Sequence, residues 1–583
     1  LCLHQSKELP RDFSFENWVL IGSSSAALLE IIKAKWAVTV SLSHLLSTVM
    51  THTRFRYLPR IRFLVEAKKM TRNAMQRSGF EDQPYDAVII GAGINGAVSA
   101  AALSSRGLKV LIIDQGDFAS MTSQQSSNLV WGGIKYLQSY EFWLVFKLCL
   151  ARARLMKEYP NRIRKVGFLA ALGPDAPFGP LLARFGTLAY WAIGLFTTPA
   201  PRTFNLKATL NLEPKFAPVA LRGAVRYFDG MLPDNDSRFV WDFVRKAKFF
   251  GAQVFNYVRL DAADRTDGIW SLQVTDQISG EVHTVKSRSV VNAAGPLVEE
   301  VLKSAKSSSK TGLVFSKGIH LVVPKLTKDD RVLAFWDEQK RLFYVIPMGD
   351  RSVIGTTDTR VADPFEQVKD EDREFVLRQI NRSMNLEAPL TKESIISERC
   401  GVRSLVVEQD QSGESEDWHK LSRKHVIEVD AQQKILSIFG GKLTDCLNVG
   451  DEVVAHFKRL GFQIGKSQKW FGEGVGQIPP TFRQQVQSLC VSSESAERVA
   501  TGLWRRHGTQ AQHIIDSTSH LLEEVFEGTG ITYAEISHVI HTEMVIKAED
   551  LLRRRLPLAM LRSEKEISSN DKLQEILRVE NLT

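Results

Sequence analysis

The amino-acid sequence predicts an α/β protein with a Rossmann-like nucleotide-binding domain, an α+β domain beside it and a helical C-terminal domain. Three observations carry this. A G-x-G-x-x-G turn stands between an apolar strand and a helix. Short β-branched runs (Ala87–Ile90, Val110–Ile113, Ser289–Asn292, Leu436–Phe439) end in glycine-rich turns, as buried parallel strands do. From about Ser467 onward the pattern is charged-faced helix with few strand signals.

Composition bounds the class. The 583 residues hold 75 Lys+Arg against 66 Asp+Glu, a formal +9, and are 44% apolar and 24% charged. These are the proportions of an ordinary globular enzyme, and they exclude disordered, collagenous and disulfide-scaffold proteins. The length allows for roughly two to four domains. Cys2, Cys149, Cys400, Cys446 and Cys490 form no C-x-x-C pair, so no metal site or disulfide framework is expected and a reducing compartment is. The modest positive surplus permits attraction to anionic lipid or substrate and makes no case for nucleic acid.

Residues 1–83 read as an N-terminal extension. Between Ile31 and Phe80 there are ten Lys/Arg and one acid, Glu66, the composition of a mitochondrial transit peptide. Upstream sequence with no fold, preceding a start at Met70 or Met75, is the equal alternative.

Asp86–Gly96, DAVIIGAGING, opens the nucleotide-binding domain. Gly91 allows the tight turn, Gly93 lets backbone approach a pyrophosphate, and Gly96 lets helix pack on strand. The helix after Gly96 offers its positive N-terminus to phosphate. A second strand, Lys109–Ile113, ends in Asp114, placed to accept hydrogen bonds from a ribose.

Three further loops decide between cofactors. A hydroxyl- and glycine-rich stretch follows Asp114, in place of the βα repeat expected of a nicotinamide dehydrogenase; it holds Thr122, Ser123, Ser127 and Asn128. Val290–Pro296, VVNAAGP, runs a strand into a small-residue turn at Ala294 and Gly295. Gly440–Thr444, GGKLT, places Gly441, Lys442, Leu443 and Thr444 at the opening of a helix. Backbone-rich loops from distant parts of one chain suit a long, buried, resident cofactor, and FAD fits better than an exchanging nicotinamide.

Two segments raise the question of a membrane. No stretch of 18 uncharged apolar residues exists, so a simple transmembrane helix is not expected. Phe178–Thr198 is apolar and aromatic with Arg184 its one charge, which suits either a monotopic segment in a lipid interface or a buried core helix. Leu551–Arg562, LLRRRLPLAMLR, reads as a solvated helix end or a patch touching lipid headgroups.

Taken together, IIGAGINGA, FASMTSQQSSNLVWGGIKYLQSYEF, VVNAAGP, KGIHLVVP, FYVIPMGDRSVIGTTDT, CGVRSL and FGGKLT resemble the FAD-dependent respiratory glycerol-3-phosphate dehydrogenases, within the D-amino-acid-oxidase-like flavoprotein superfamily. The likeness runs from about Tyr85 to Arg562. It implies a discontinuous FAD-binding domain (residues 84–145, 225–310 and 395–462), a substrate and membrane-facing domain (146–224 and 311–394) and a helical domain (463–583). It implies oxidation of sn-glycerol 3-phosphate to dihydroxyacetone phosphate, hydride transfer from C2 to flavin N5 and electron delivery to a membrane quinone. The implied location is the cytoplasmic face of a bacterial inner membrane, with a mitochondrial inner membrane as alternative, as a peripheral protein and a possible homodimer. Arg403 and Arg423 match the phosphate-binding arginines, Lys442 a lysine near flavin and substrate, and His320 the histidine that takes the hydroxyl proton. Asn95 and Val258 complete the implied flavin set, and Thr356, Thr357 and Asp358 a loop beneath the active site.

The departures concern the substrate. Where the family's S-K-L-I-H-G-G-x-R-Y-L stretch has lysine, histidine and arginine, this chain has Asn128, Trp131 and Lys135, with Tyr136 retained. Trp131 accepts no proton, and Lys135 keeps a charge but lacks the bidentate fork. Lys135 and Tyr136 remain expected substrate contacts. The stretch Tyr227–Arg238, YFDGMLPDNDSR, is also altered. Oxidation of another 2-hydroxy or 2-amino acid, or a flavin-binding protein with a decayed catalytic site, are the alternatives these changes leave.

Overall fold

Three consecutive residue types build the nucleotide-binding sheet: a β-branched run, a glycine turn and an alanine-rich helix. In the computed structural model, which describes residues 79–217, 221–408, 424–474, 476–518 and 521–582, Ala87–Ile90 and Val110–Ile113 are buried along their whole length and pair in parallel. Residues 1–78 and Arg423 lie outside the described residues.

The sheet has six strands in the order 426–430, 435–439, 290–292, 87–90, 110–113, 253–255. All neighbours are parallel except Val426–Asp430, which runs antiparallel to Ile435–Phe439. Helix Ile94–Ser104 packs on it between Asp236–Phe249 and Cys446–Arg459. Its small side chains, INGAVSAAALS, permit that close approach. A three-stranded antiparallel sheet, Val258–Thr266, Ile269–Asp276 and Val282–Ser287, stands beside it.

A second, ten-stranded sheet is organised by the long strand Thr311–Pro324, paired antiparallel with Ser397–Glu408. The register sets Ser316 opposite Arg403, Gly318 opposite Gly401 and His320 opposite Arg399. Side chains alternate along a strand, so these six residues share one face. Gly223–Met231 and Ser397–Glu408 belong to this second sheet, although the division made from the sequence placed residues 225–231 and 397–408 with the nucleotide-binding domain. Beyond Pro480 the described chain is helical, and its helices close two apolar cores of their own.

The two membrane-related segments have definite outcomes. Phe178–Thr198 is not a buried core helix: Pro180–Ile193 buries Ala183, Thr187 and Tyr190 and leaves Leu181, Leu182 and Phe185 more than 60% exposed. Leu195 and Phe196 are further exposed apolar side chains of the segment, and Tyr140, Phe142 and Trp143 are exposed earlier in the chain. No helix of the described residues is long and apolar enough to cross a membrane.

Leu551–Arg562 is neither a lipid patch nor a solvated helix end. Arg553, Arg554, Arg555 and Arg562 are all buried. Asp117 receives Arg554 Nε at 2.8 Å and both terminal nitrogens of Arg555 at 2.7 and 2.8 Å, and Asp550 and Glu549 each bind Arg554 at 2.6 Å. The altered stretch Tyr227–Arg238 joins the same interior. Asp234 binds Arg505 at 2.6 and 2.9 Å, and Arg238 pairs with Glu543.

Candidate functional site

A cleft of about 280 Å³ opens where the parallel strands end. This is where ligands bind in open α/β sheets, outside the carboxyl ends of the strands. Four of the loops marked in the sequence meet there. Gly91, Gly93, Asn95 and Asp114 line one side; Thr122, Ser123 and Ser127 come from the hydroxyl-rich loop; Ala294 and Gly295 from VVNAAGP; Gly441, Lys442, Leu443 and Thr444 from GGKLT.

The local reasons are steric and electrostatic. Gly91 stands at φ +95°, and a Cβ there would lie 2.6 Å from the Ala293 carbonyl oxygen. Gly96 does not line the cleft; a Cβ on it would stand 1.8 Å from the Gly91 oxygen, so this glycine lets the helix sit on the turn. Ser123 Oγ accepts from the Ile94 amide at 3.0 Å in the helix's first turn. Asn95 donates to the Gly440 carbonyl at 2.9 Å, which ties the first glycine loop to GGKLT. Asp114 accepts from the amides of Ala92 at 2.7 Å and Gly116 at 2.8 Å, and burial pushes its carboxyl up to about 6 against those bonds.

Arg403 also lines the cleft. It donates to Thr356 Oγ1 at 3.1 Å and lies 3.5 Å from Asp358. Its guanidinium folds over Gly318, where a Cβ would be 2.2 Å from one terminal nitrogen. Trp131 stacks on Tyr136 with centroids 5.9 Å apart, and Lys442 Nζ stands 4.0 Å from the centroid of that tyrosine ring. Both aromatic residues face the cleft. His320, on the strand face that carries Arg403, is buried, and among the described residues neither ring nitrogen has a hydrogen-bond partner. Burial first, then Arg399 and Arg403, holds its pKa well below the ordinary histidine value.

His320 does not line the cleft, and three more expected site residues are placed elsewhere. Lys135 lines an adjoining apolar cavity instead of the cleft. Asn128 is buried at φ +59°, a left-handed backbone that asparagine tolerates, and its side chain donates to the carbonyls of Leu232 and Asp234 and accepts from Arg399 at 2.9 Å. Val258 sits in the core, with its amide on the Asp114 carbonyl at 2.7 Å. Sequence reasoning missed Arg399, which pairs with Asp236 at 2.9 Å and supports the cofactor loop at the Gln124 carbonyl, 3.0 Å away.

The GGKLT loop has its own electrostatic anchor. His425 Nδ1 lies 2.8 Å from Asp445 and Nε2 2.9 Å from Glu452. Burial works downward on its pKa, but the two carboxylates outweigh it and raise the group to about 9. A raised folded pKa contributes stability in full below the unfolded value of about 6.5, and that stability is lost as pH rises through 9. Flavin retention is therefore expected to weaken between about pH 6.5 and 9 in the parent and to lose this dependence in His425→Gln. Gel filtration at stepped pH, reading flavin absorbance in the protein peak, checks it.

The pattern of the FAD dependent oxidoreductase family matches residues 86–422, more than half of the chain. The chain belongs to that family. Its cofactor is FAD. The pattern of the C-terminal domain of alpha-glycerophosphate oxidase matches residues 472–580. The aerobic glycerol-3-phosphate dehydrogenase of Staphylococcus saprophyticus is 29% identical over 507 residues, covering 82% of this chain and 88% of the relative. The glycerol-3-phosphate dehydrogenase of Pseudomonas aeruginosa is 28% identical over 498 residues, covering 82% and 93%. The structure of glycerol-3-phosphate dehydrogenase from Bacillus halodurans complexed with FAD aligns with a TM-score of 0.67 at 21% identity, over 88% of this chain and 94% of that one. L-alpha-glycerophosphate oxidase from Mycoplasma pneumoniae with FAD bound aligns at 0.52 and 15% identity, over 67% and 98%.

The cleft fits the cofactor. Its glycine turns leave backbone open to a pyrophosphate at a helix N-terminus, and Asp114 stands at the end of the second strand.

Proposed function

We propose that this protein oxidises sn-glycerol 3-phosphate to dihydroxyacetone phosphate and passes the electrons through FAD to a membrane quinone. The observation that carries the reading is a single constellation: the Arg403 guanidinium turned into the cofactor cleft over Gly318, on the strand face that also bears a partnerless buried histidine, His320. The names of the relatives point to the same substrate.

FAD bound in the cleft supplies the two-electron acceptor for hydride. Arg403 holds the substrate phosphate, for which its planar fork is the best side-chain match, and Thr356 keeps that fork oriented. Arg423 is the second proposed phosphate contact. His320, neutral in the free enzyme, takes the proton of the C2 hydroxyl. A dianion beside Arg403 offsets one of the charges that depress His320, so substrate binding itself raises the histidine's basicity toward working pH. Lys442 and Tyr136 wall the cleft against water.

An acceptor route is supported by what lies behind Tyr136. The turn Ile134–Leu137 separates two cavities: Tyr136 faces the cleft, while Lys135 and Leu137 face an apolar cavity of about 310 Å³ that Leu182 and Trp336 also line. The exposed apolar face of Pro180–Ile193 adjoins it. A quinone reaching that cavity from a lipid surface is the arrangement we propose, with the protein peripheral on the cytoplasmic face of an inner membrane.

An anaerobic titration with glycerol 3-phosphate, followed by reoxidation, tests both parts. Flavin bleaching followed by faster reoxidation by quinone-loaded vesicles than by oxygen is expected. Bleaching by 2-hydroxy acids alone would overturn the substrate, as Trp131 in place of a histidine allows. Stoichiometric hydrogen peroxide in the presence of quinone would overturn the acceptor.

A further inference from the structure

The loop that lines the cofactor cleft from Thr122 to Ser127 is held from behind by arginines, and one of them comes from the far end of the chain. Arg553 and Arg399 both donate to the Gln124 carbonyl, Arg399 at 3.0 Å. Asp236 serves Arg399 at 2.9 Å and the Ser126 amide at 2.7 Å. Arg553 has no carboxylate partner among the described residues; its other contact is Met560 Sδ at 4.0 Å. Asp550 and Glu549, the acids closest to it in the sequence, are both taken by Arg554 at 2.6 Å. The backbone of this turn is fixed in its turn, since Asn235 Nδ2 donates to the carbonyls of Arg553 at 2.7 Å and Arg554 at 2.9 Å.

Two buried guanidiniums thus share one carbonyl, and only Arg399 has a carboxylate paired with it. Burial, followed by Arg399, lowers Arg553 to about 9, which still leaves it charged at neutral pH. An uncompensated buried charge is costly, and a hydrocarbon side chain of similar volume would relieve that cost. The feature therefore asks for a role beyond stability.

We propose that Arg553 is a positioning residue for FAD: from the C-terminal domain it fixes the carbonyl of Gln124, and with it the cofactor loop, and it places beneath that loop a positive charge with no acid paired to it. The consequences are two. Cofactor affinity depends on a residue more than 400 positions away from the loop. The Arg553 charge favours the more negative, reduced form of the cofactor, and its contribution is to raise the reduction potential. Neither consequence depends on which substrate the enzyme uses, so failure of the substrate assignment leaves this proposal standing.

The test measures the FAD dissociation constant of the apoprotein by flavin fluorescence, and the midpoint potential by anaerobic equilibration with a reference dye. Arg553→Met is expected to weaken FAD binding at least tenfold and to lower the two-electron reduction equilibrium about tenfold, a shift of about 30 mV. Arg553→Gln keeps a donor without the charge, so affinity recovers and potential stays low. Arg553→Lys recovers both in part. Arg562→Ala serves as control, because Arg562 lies in the same domain, pairs with Asp350 at 3.0 Å and touches no residue of the cofactor loop. It lowers thermal stability and leaves both readouts unchanged. Parent-like affinity and potential in Arg553→Met, or equal losses in Arg562→Ala, overturn the proposal. If Arg553→Met does not fold, equal potentials in the Gln and Lys variants overturn the charge role, and a tenfold loss of FAD affinity in Arg553→Gln, which keeps the donor, overturns positioning.

Discussion

Replacing Arg403 by alanine is expected to raise KM for glycerol 3-phosphate roughly 100-fold while kcat falls less than tenfold, because hydrogen bonds to a charged group contribute about 1.5–3 kcal/mol and each 1.4 kcal/mol is a factor of ten. The split follows from where Arg403 acts. A phosphate contact is remote from the carbon that changes oxidation state, so it binds ground state and transition state almost equally and appears in KM. Arg403→Lys keeps the charge and loses the fork, which places it between alanine and the parent, at roughly a tenfold loss. The structure adds a second signature. Arg403 helps hold the pKa of His320 down, so its removal raises that pKa and shifts the acidic limb of the kcat/KM profile upward in pH. A general loosening of the cleft would raise KM without moving the limb. Steady-state kinetics from pH 5 to 9 on the two variants, with FAD content matched, measures both effects. An unchanged KM in Arg403→Ala would remove Arg403 from the phosphate site and with it the main support for a phosphorylated substrate.

The parts of this site that could be read in the sequence are those whose chemistry is local. A glycine that must approach backbone, a strand-terminal acid and a helix-opening loop each declare themselves within a few residues, and Gly91, Asp114 and Gly441 all line the cleft. The parts that could not be read are pairings over long sequence separations. Three adjacent arginines, Arg553 to Arg555, look like surface because nothing near them in sequence neutralises all three; Asp117, which takes two of them, stands 437 residues before Arg554. The same blindness hid Arg399, whose partners Gln124, Asn128 and Asp236 lie 163 to 275 positions away. Asn128 shows the converse. It was expected as a cofactor contact, and with a left-handed backbone it holds Arg399 and the turn at Leu232–Asp234 instead. Of the three departures from the family stretch, only Trp131 faces the cleft, so the question of substrate rests on that one side chain.

Asp117→Ala is expected to cost roughly 3–5 kcal/mol, the usual result of removing one partner from a buried ion pair. Asp117 has no exposed surface and receives four bonds, from Arg554, from both ends of Arg555 and from Asn256 at 2.8 Å. Its loss is uneven in effect. Arg554 keeps Asp550 and Glu549, whereas Arg555 keeps the Glu543 carbonyl at 3.0 Å as a hydrogen-bond partner and loses the carboxylate bonded to it. That asymmetry locates the damage between the nucleotide-binding domain and the turn that carries Arg553, so loss of flavin accompanies loss of stability. A fall in melting temperature of roughly 10 °C follows from about 2–4 °C per kcal/mol for a domain of this class of size. Asp117→Asn retains acceptor and shape without charge and falls between. Salt up to 1 M leaves the difference in place, since buried pairs escape screening. The pH dependence has a definite sign: burial raises the Asp117 carboxyl, the two arginines outweigh it, and the net folded pKa is depressed. Its contribution is therefore present above the unfolded value of about 3.9 and is lost as pH falls below it. Calorimetry on the parent and both variants at pH 7 and at pH 2–3 reads all of this, and a melting temperature within a degree of the parent for Asp117→Ala would mean that the arginine turn is held by its apolar neighbours instead.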